Sequence, residues 1–181
     1  MYKYHYTGYI DSIPSIFFEG AVYTLLLCFV ISVAITNIKK GFRVTFIAAL
    51  LEYILLLYSS TIFSRAVQIE RKFNFRPLWT YEAILEGEKI YVAEVIMNVV
   101  AFIPIGLLLG CSFPSTNWKK VLITACLLSV SIEVLQFCMM RGFSELDDVI
   151  HNTLGCIIGY GLYSLIRLVY EKVSKRNETV L

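Results

Sequence analysis

Charge is scarce in this sequence. Asp, Glu, Lys and Arg make up only 17% of 181 residues, and the net charge is +2. With 57% hydrophobic residues and a mean hydropathy of +0.68, the composition is far from that of a soluble domain. The basic residues are too few and too dispersed to engage nucleic acid, so no such partner is expected. Cysteine is sparse as well: Cys28, Cys111, Cys126, Cys138 and Cys156 lie in or beside apolar stretches without metal-ligand spacing. That pattern gives no zinc motif and no disulfide; it fits small hydrophobes. Alternating segments of roughly ten residues are missing, and runs such as "TLLLCFVISVAI" do not alternate, which excludes a membrane β-barrel. Neither fixed-period repeats nor low-complexity tracts occur, so nothing marks a second domain.

What is present is long apolar runs. A helix crosses the hydrocarbon with about 20 mostly apolar residues, and five windows qualify: 16–35, 42–63, 90–111, 121–140 and 149–169. The chain therefore reads as a single membrane domain over 1–181, an all-α integral membrane protein built as a bundle of five transmembrane helices. The first window follows one lysine, contains Glu19 and is not followed by a small-residue cleavage site, so it is expected to be a retained span. Lys39, Lys40 and Arg43, then Lys119 and Lys120, then Lys172, Lys175 and Arg176 mark cytoplasmic segments if the N-terminus is outside. The connection 64–89 and the turn holding Glu145, Asp147 and Asp148 then lie outside. In the longer one, Phe73, Phe75, Trp79 and Tyr81 around Pro77 suit an interfacial segment at headgroup level.

The polar residues inside the apolar windows fall on shared helix faces, because positions three or four apart align. Glu94 and Asn98 share one face of the third span; Ser129, Glu133 and Gln136 share one of the fourth. Asp148, Asn152, Gly155 and Gly159 continue the pattern in the fifth, where the Gly-x-x-x-Gly spacing allows close helix approach. A carboxylate at mid-bilayer costs about 2.5–3.5 kcal/mol on insertion scales, so such residues face the bundle or water and commonly serve function. The competing explanation is structural: interhelical bonds among Asn98, Glu133, Gln136 and Asn152, at about 0.6 kcal/mol each, would only hold helices together. Glu145 and Asp147 have a local explanation, since Ser144-x-x-Asp147 matches a capping box and acids suit a helix's first turn. His151 falls about 100° round from Asn152, beside the seam, and a lone histidine is weak evidence for a metal. Glu52 is expected to face the bundle, and Pro104 with Gly106 to kink the third span.

"NVVAFIPIGLLLG" (98–110), "SIEVLQF" (131–137) and "RGFSELDDVIHNTLGCIIGY" (141–160) together resemble the VanZ-like family of bacterial membrane proteins, over roughly residues 70–165. "NFRPL" (74–78) looks like that family's Asn-Leu-x-Pro-Phe element. The chain departs from the family pattern at Glu145, where an aspartate is usual, and at His151 and Arg76, where apolar or aliphatic residues are usual. The resemblance implies a protein of the bacterial cytoplasmic membrane, associated with reduced susceptibility to teicoplanin-type lipoglycopeptides.

Three functions follow as expectations. In the first, an outward-facing polar site binds a lipidated antibiotic or lipid-linked cell-wall precursor. Glu94, Asn98, Glu133, Gln136, Arg141, Asp148 and Asn152 would form it, Arg141 meeting an anionic group. In the second, the chain is an intramembrane enzyme with Glu133 or Asp148 as general base; against it, the seam has no evident Ser or Cys nucleophile paired with a base. In the third, the seam only assembles helices. Binding is preferred to catalysis, with no cofactor or metal expected; membrane lipid is an expected partner, and the oligomeric state stays open.

Overall fold

The structure, a computed structural model, describes residues 38–178; the expected span 16–35 and the N-terminal placement lie outside them. Four helices are long and apolar enough to cross a membrane: Phe42–Phe63, Ile90–Ser112, Trp118–Met139 and Leu146–Arg176. In chain order, α1 (Ile38–Tyr58) continues as a π-helical segment (Ser59–Phe63). A short strand β1 (Lys72–Asn74) and helix α2 (Trp79–Leu85) occupy the following connection. Then come α3 (Ile90–Ser112), α4 (Trp118–Met139), β2 (Phe143–Glu145) and α5 (Leu146–Glu178).

Helix α5 is the axis of the bundle. Its most extensive contact is with α3, α4 packs on its other flank, and α1 packs against α3. Lipid offers no hydrophobic drive for this packing, so closeness of approach decides it. Glycine provides the closeness: a Cβ on Gly155 or Gly159 would run into the carbonyl oxygens of Val99 and Ile103, and one on Gly106 into that of Cys156. The buried centre contains Phe102, Ile105, Val121, Ala125, Ile132 and Cys156, while Leu55, Met97, Leu127 and Leu165 point outward to where lipid lies. Helix α3 runs through Pro104 to Ser112 without interruption. Glu52 is half-buried on α1, with neither carboxyl oxygen hydrogen-bonded among the described residues.

The two ends of the bundle differ in chemistry. At one, the guanidinium of Arg43 donates to the Ser112 carbonyl at the end of α3 (3.0 Å), and Arg167 donates to the Pro114 carbonyl (3.0 Å). Cations at a helix C-terminus suit its dipole. Asn117 starts α4 by accepting the Lys120 amide (3.0 Å).

At the other end the connection between α1 and α3 does more than lie along a surface. Strand β1 pairs parallel with β2, with Lys72 opposite Phe143 and Asn74 opposite Glu145. The Gln68 amide also donates to the Met140 carbonyl (2.7 Å). Leu78, in the left-handed region at φ 61°, then turns the chain into α2. A branched apolar residue there is strained and needs outside support. Asp147 supplies it, accepting the Leu78 amide (2.5 Å) and the Thr80 amide (3.0 Å).

Candidate functional site

Asp147 is 0% exposed, and its carboxylate caps α2 rather than serving its own helix. This corrects the local capping reading of the Ser144-x-x-Asp147 motif. The acid fixes the outer connection down onto the bundle, using the N-terminal amides that any helix leaves unpaired.

Around that clamp the helices bring carboxyl groups together. The Glu133 carboxylate, on α4 and 6% exposed, accepts the Glu145 backbone amide (2.8 Å), with the Ser144 hydroxyl among the groups that act on it. Asp148, on the first turn of α5, accepts from the Asn98 side-chain amide of α3 (2.6 Å). Glu94, one turn before Asn98, interacts electrostatically with Glu133, Glu145 and Asp148. Glu145 is 5% exposed, and its Oε2 accepts the Trp79 indole N–H (3.1 Å). Burial, then the charges of Asp148, Glu94 and Glu133, push its carboxyl up to about 9, against the pull of the indole bond. Far from only starting α5, Glu145 is the buried centre of the acidic group. The cation that reaches Glu133 and Asp148 is Arg65, just past the π-helical segment. Gly142, at φ +120°, leaves room for its guanidinium: a Cβ there would strike Arg65 Nη1. Among the described residues, no three His, Cys, Asp or Glu side chains are arranged to hold a metal ion.

The structure thus brings Glu94, Asn98, Glu133 and Asp148 together. It sets the other sequence candidates apart. Asn152 lies one turn deeper and donates to the Ser129 hydroxyl of α4 (2.8 Å), a buried helix-to-helix bond. Gln136 turns toward α1 and donates to the Thr61 carbonyl (3.0 Å), leaving its own Oε1 without a partner among the described residues. Arg141 uses one Nη1 for the carbonyls of Phe63 (2.7 Å) and Arg65 (2.9 Å), ending the π-helical segment. It braces a backbone. His151 is 1% exposed, and its Nε2 is 3.0 Å from the Tyr81 hydroxyl of α2, under the outer connection. Arg76 is paired with Glu82 (2.6 Å) on the exposed side of that connection, a position where an ion pair contributes little.

A groove of about 300 Å³ opens beside the carboxyls. Its walls are Val130, Val134 and Phe137 of α4, Val149 of α5, Phe73 of β1 and Phe75 just after it; Glu133, Ser144 and Glu145 also border it, and the surface it offers is almost entirely apolar. Phe73 and Phe75 have ring centroids 5.1 Å apart, and Phe73 meets Phe137 edge-on at 5.8 Å. Val134 is 52% exposed, so the groove borders the lipid-facing side of α4. An apolar groove beside membrane lipid is suited to an alkyl chain. The proximity of Ser144 to Glu133, both bordering this groove, is a feature that the sequence did not display.

A family model described as VanZ/LLP1 matches residues 42–167. Protein VanZ of Enterococcus faecium is 39% identical over 72 residues, which cover 40% of this chain and 45% of that relative, less than half its length. No solved structure matches.

Proposed function

Because the chain belongs to the VanZ/LLP1 family, we propose that this membrane protein lowers susceptibility to teicoplanin-type lipoglycopeptides or modulates the cell envelope. It does so by holding a lipidated or lipid-linked ligand at its acidic end. The observation that carries this reading is the groove, an apolar cleft on the lipid-facing side of α4 that Glu133 and Glu145 border. In this reading the acidic end faces outward from a bacterial cytoplasmic membrane. The basic end, with Arg43, Lys119 and Lys120, is cytoplasmic, as short loops rich in Lys and Arg favour. The ligand's chain occupies the groove and its polar part meets the carboxyls, with α2 and β1 as the roof.

The test is susceptibility in a Gram-positive host expressing wild type or Glu133→Gln at matched levels of folded protein. Wild type is expected to raise the teicoplanin concentration needed to stop growth, and Glu133→Gln to lose most of that protection. Equal protection by both overturns the site.

The proximity of Ser144 to Glu133 supports a second reading, an enzyme in which Glu133 takes the Ser144 hydroxyl proton as the oxygen attacks an acyl group of a lipid, the remainder of which leaves as the protonated alcohol or amine. Mass spectrometry of a lipid-linked precursor incubated with the purified protein decides between them. A new product that disappears in Ser144→Ala favours the enzyme; binding without product favours the binder.

A further inference from the structure

We propose that the open edge of β1 takes up the main chain of an extended peptide, so that the ligand favoured at this end is an acylated peptide with its alkyl chain in the groove. The inference rests on the binding reading above and narrows its ligand class. It starts from the ladder between the two strands. In a parallel pair, a bonding residue directs its N–H and C=O to the two residues that flank its opposite, and the residues on either side of it face the other way. Phe73 stands opposite Ser144, so its main chain could face β2 only by accepting the Glu145 amide. That amide donates to the Glu133 carboxylate instead (2.8 Å). The ladder therefore runs from Ser144 to Lys72 and Asn74, and the N–H and C=O of Phe73 point away from β2.

On that side the strand has no neighbour. Among the described residues β1 pairs with β2 alone, and no hydrogen bond from outside the ladder reaches the main chain of Phe73. Arg71 and Phe75, two residues away in either direction, also make no bond to other backbone. All three residues are exposed, Phe73 by 54%. An uncovered edge of this kind is a template for another strand, and its chemistry selects the occupant. A phosphate only accepts and an ammonium only donates, so either would leave half of the edge unmet; an extended peptide offers both at the matching two-residue period. The second observation is the groove, which Phe73 and Phe75 line. A strand added about 4.8 Å outside β1 runs beside those rings, so an acyl group on it reaches the apolar walls. Charge argues against a second copy of β1 as the occupant. Arg71, 5.8 Å from the Phe137 ring, and Lys72 outnumber Glu70 at this edge, an excess that repels its own copy and suits a peptide ending in a carboxylate.

Hydrogen exchange at the Phe73 amide reads this edge directly. The full-length protein, carrying isotope-labelled phenylalanine in lipid nanodiscs, would be titrated by NMR with an N-decanoyl alanine tetrapeptide, with the same molecule methylated at every amide nitrogen, and with decyl phosphate. The Phe73 signal is assigned by its loss in Phe73→Tyr. The acylated peptide is expected to bind saturably and to slow exchange at Phe73 about tenfold or more. The methylated peptide and decyl phosphate, which cannot complete the ladder, are expected to bind about tenfold more weakly and to leave that amide unprotected. Val134→Phe fills the groove from its lipid-facing side, where Val134 is 52% exposed, and is expected to weaken the acylated peptide about tenfold. If the methylated peptide or decyl phosphate binds as tightly as the acylated peptide, or the bound peptide leaves Phe73 exchange unchanged, the edge is not the docking strand and the peptide inference is overturned; binding that Val134→Phe still weakens then leaves the lipidated-ligand reading standing. If no probe binds saturably, or binding ignores Val134→Phe, the groove is not the site and both readings fall.

Discussion

Asp147 shows how one buried side chain organises the acidic end. Its two oxygens hold the amides of Leu78 and Thr80, so it supports the left-handed Leu78 and starts α2 in one act. Bonds to a charged group contribute about 1.5–3 kcal/mol each. Asp147→Ala is therefore expected to lower the stability of the purified protein by about 3 kcal/mol or more, read from its unfolding midpoint in detergent. Asp147→Asn keeps one acceptor and is expected to recover part of the loss. Glu145 makes a prediction of opposite character. Its carboxyl is near 9 in the folded protein and about 4.3 in an unfolded chain, so the folded state binds the proton more tightly. The stabilisation is full below the unfolded value and is lost as pH rises toward 9. The midpoint of the wild type is expected to fall between pH 5 and 9. Glu145→Gln, which never ionises, is expected to flatten that slope; an unchanged slope would place the titration elsewhere.

At the scale of elements, the bundle depends on α3 and α5 touching backbone to backbone. Ala at Gly106 or Gly155 would put a methyl group against the carbonyl of Cys156 or Val99, neither of which can yield. Overpacking of this kind costs about 1–3 kcal/mol. Both variants are expected to reduce the folded fraction on size-exclusion chromatography. Gly161→Ala, whose methyl would sit 3.5 Å from the Trp118 ring, is expected to behave as wild type. The glycine seam was legible in the sequence because helical spacing alone puts Gly155 and Gly159 on one face. The same periodicity aligned Glu94 with Asn98 and Ser129 with Glu133. It could not reveal β1 and β2, since three residues are too few to display alternation. Without that pairing, nothing brought the aromatics of the 64–89 connection over Glu133, or Ser144 beside it. Arg65 was hidden for a similar reason: past an apolar run it resembles any loop cation, and only the fold turns it toward the acids. Gln136 and Arg141 lie close to the site in sequence, and the fold directs each of them to the backbone around the π-helical segment.

For the whole molecule, the ends carry opposite chemistry. Basic side chains close helix termini at one end, and at the other a roof of β1 and α2 covers a cluster of acids above a groove that borders lipid. In the proposed reading, this polarity would let one small bundle present a ligand site at a single membrane face. It predicts where a ligand's chain must lie, and covalent capture reads that directly. A lipoglycopeptide with a photoreactive diazirine in its acyl chain would be added to cells expressing the protein, irradiated, and the adducts mapped by mass spectrometry. The account predicts labels on the groove walls, at Phe73, Val134, Phe137 and Val149, reduced at least tenfold by Val134→Phe. Labels confined to other lipid-facing surfaces, or labelling indifferent to that substitution, would contradict it.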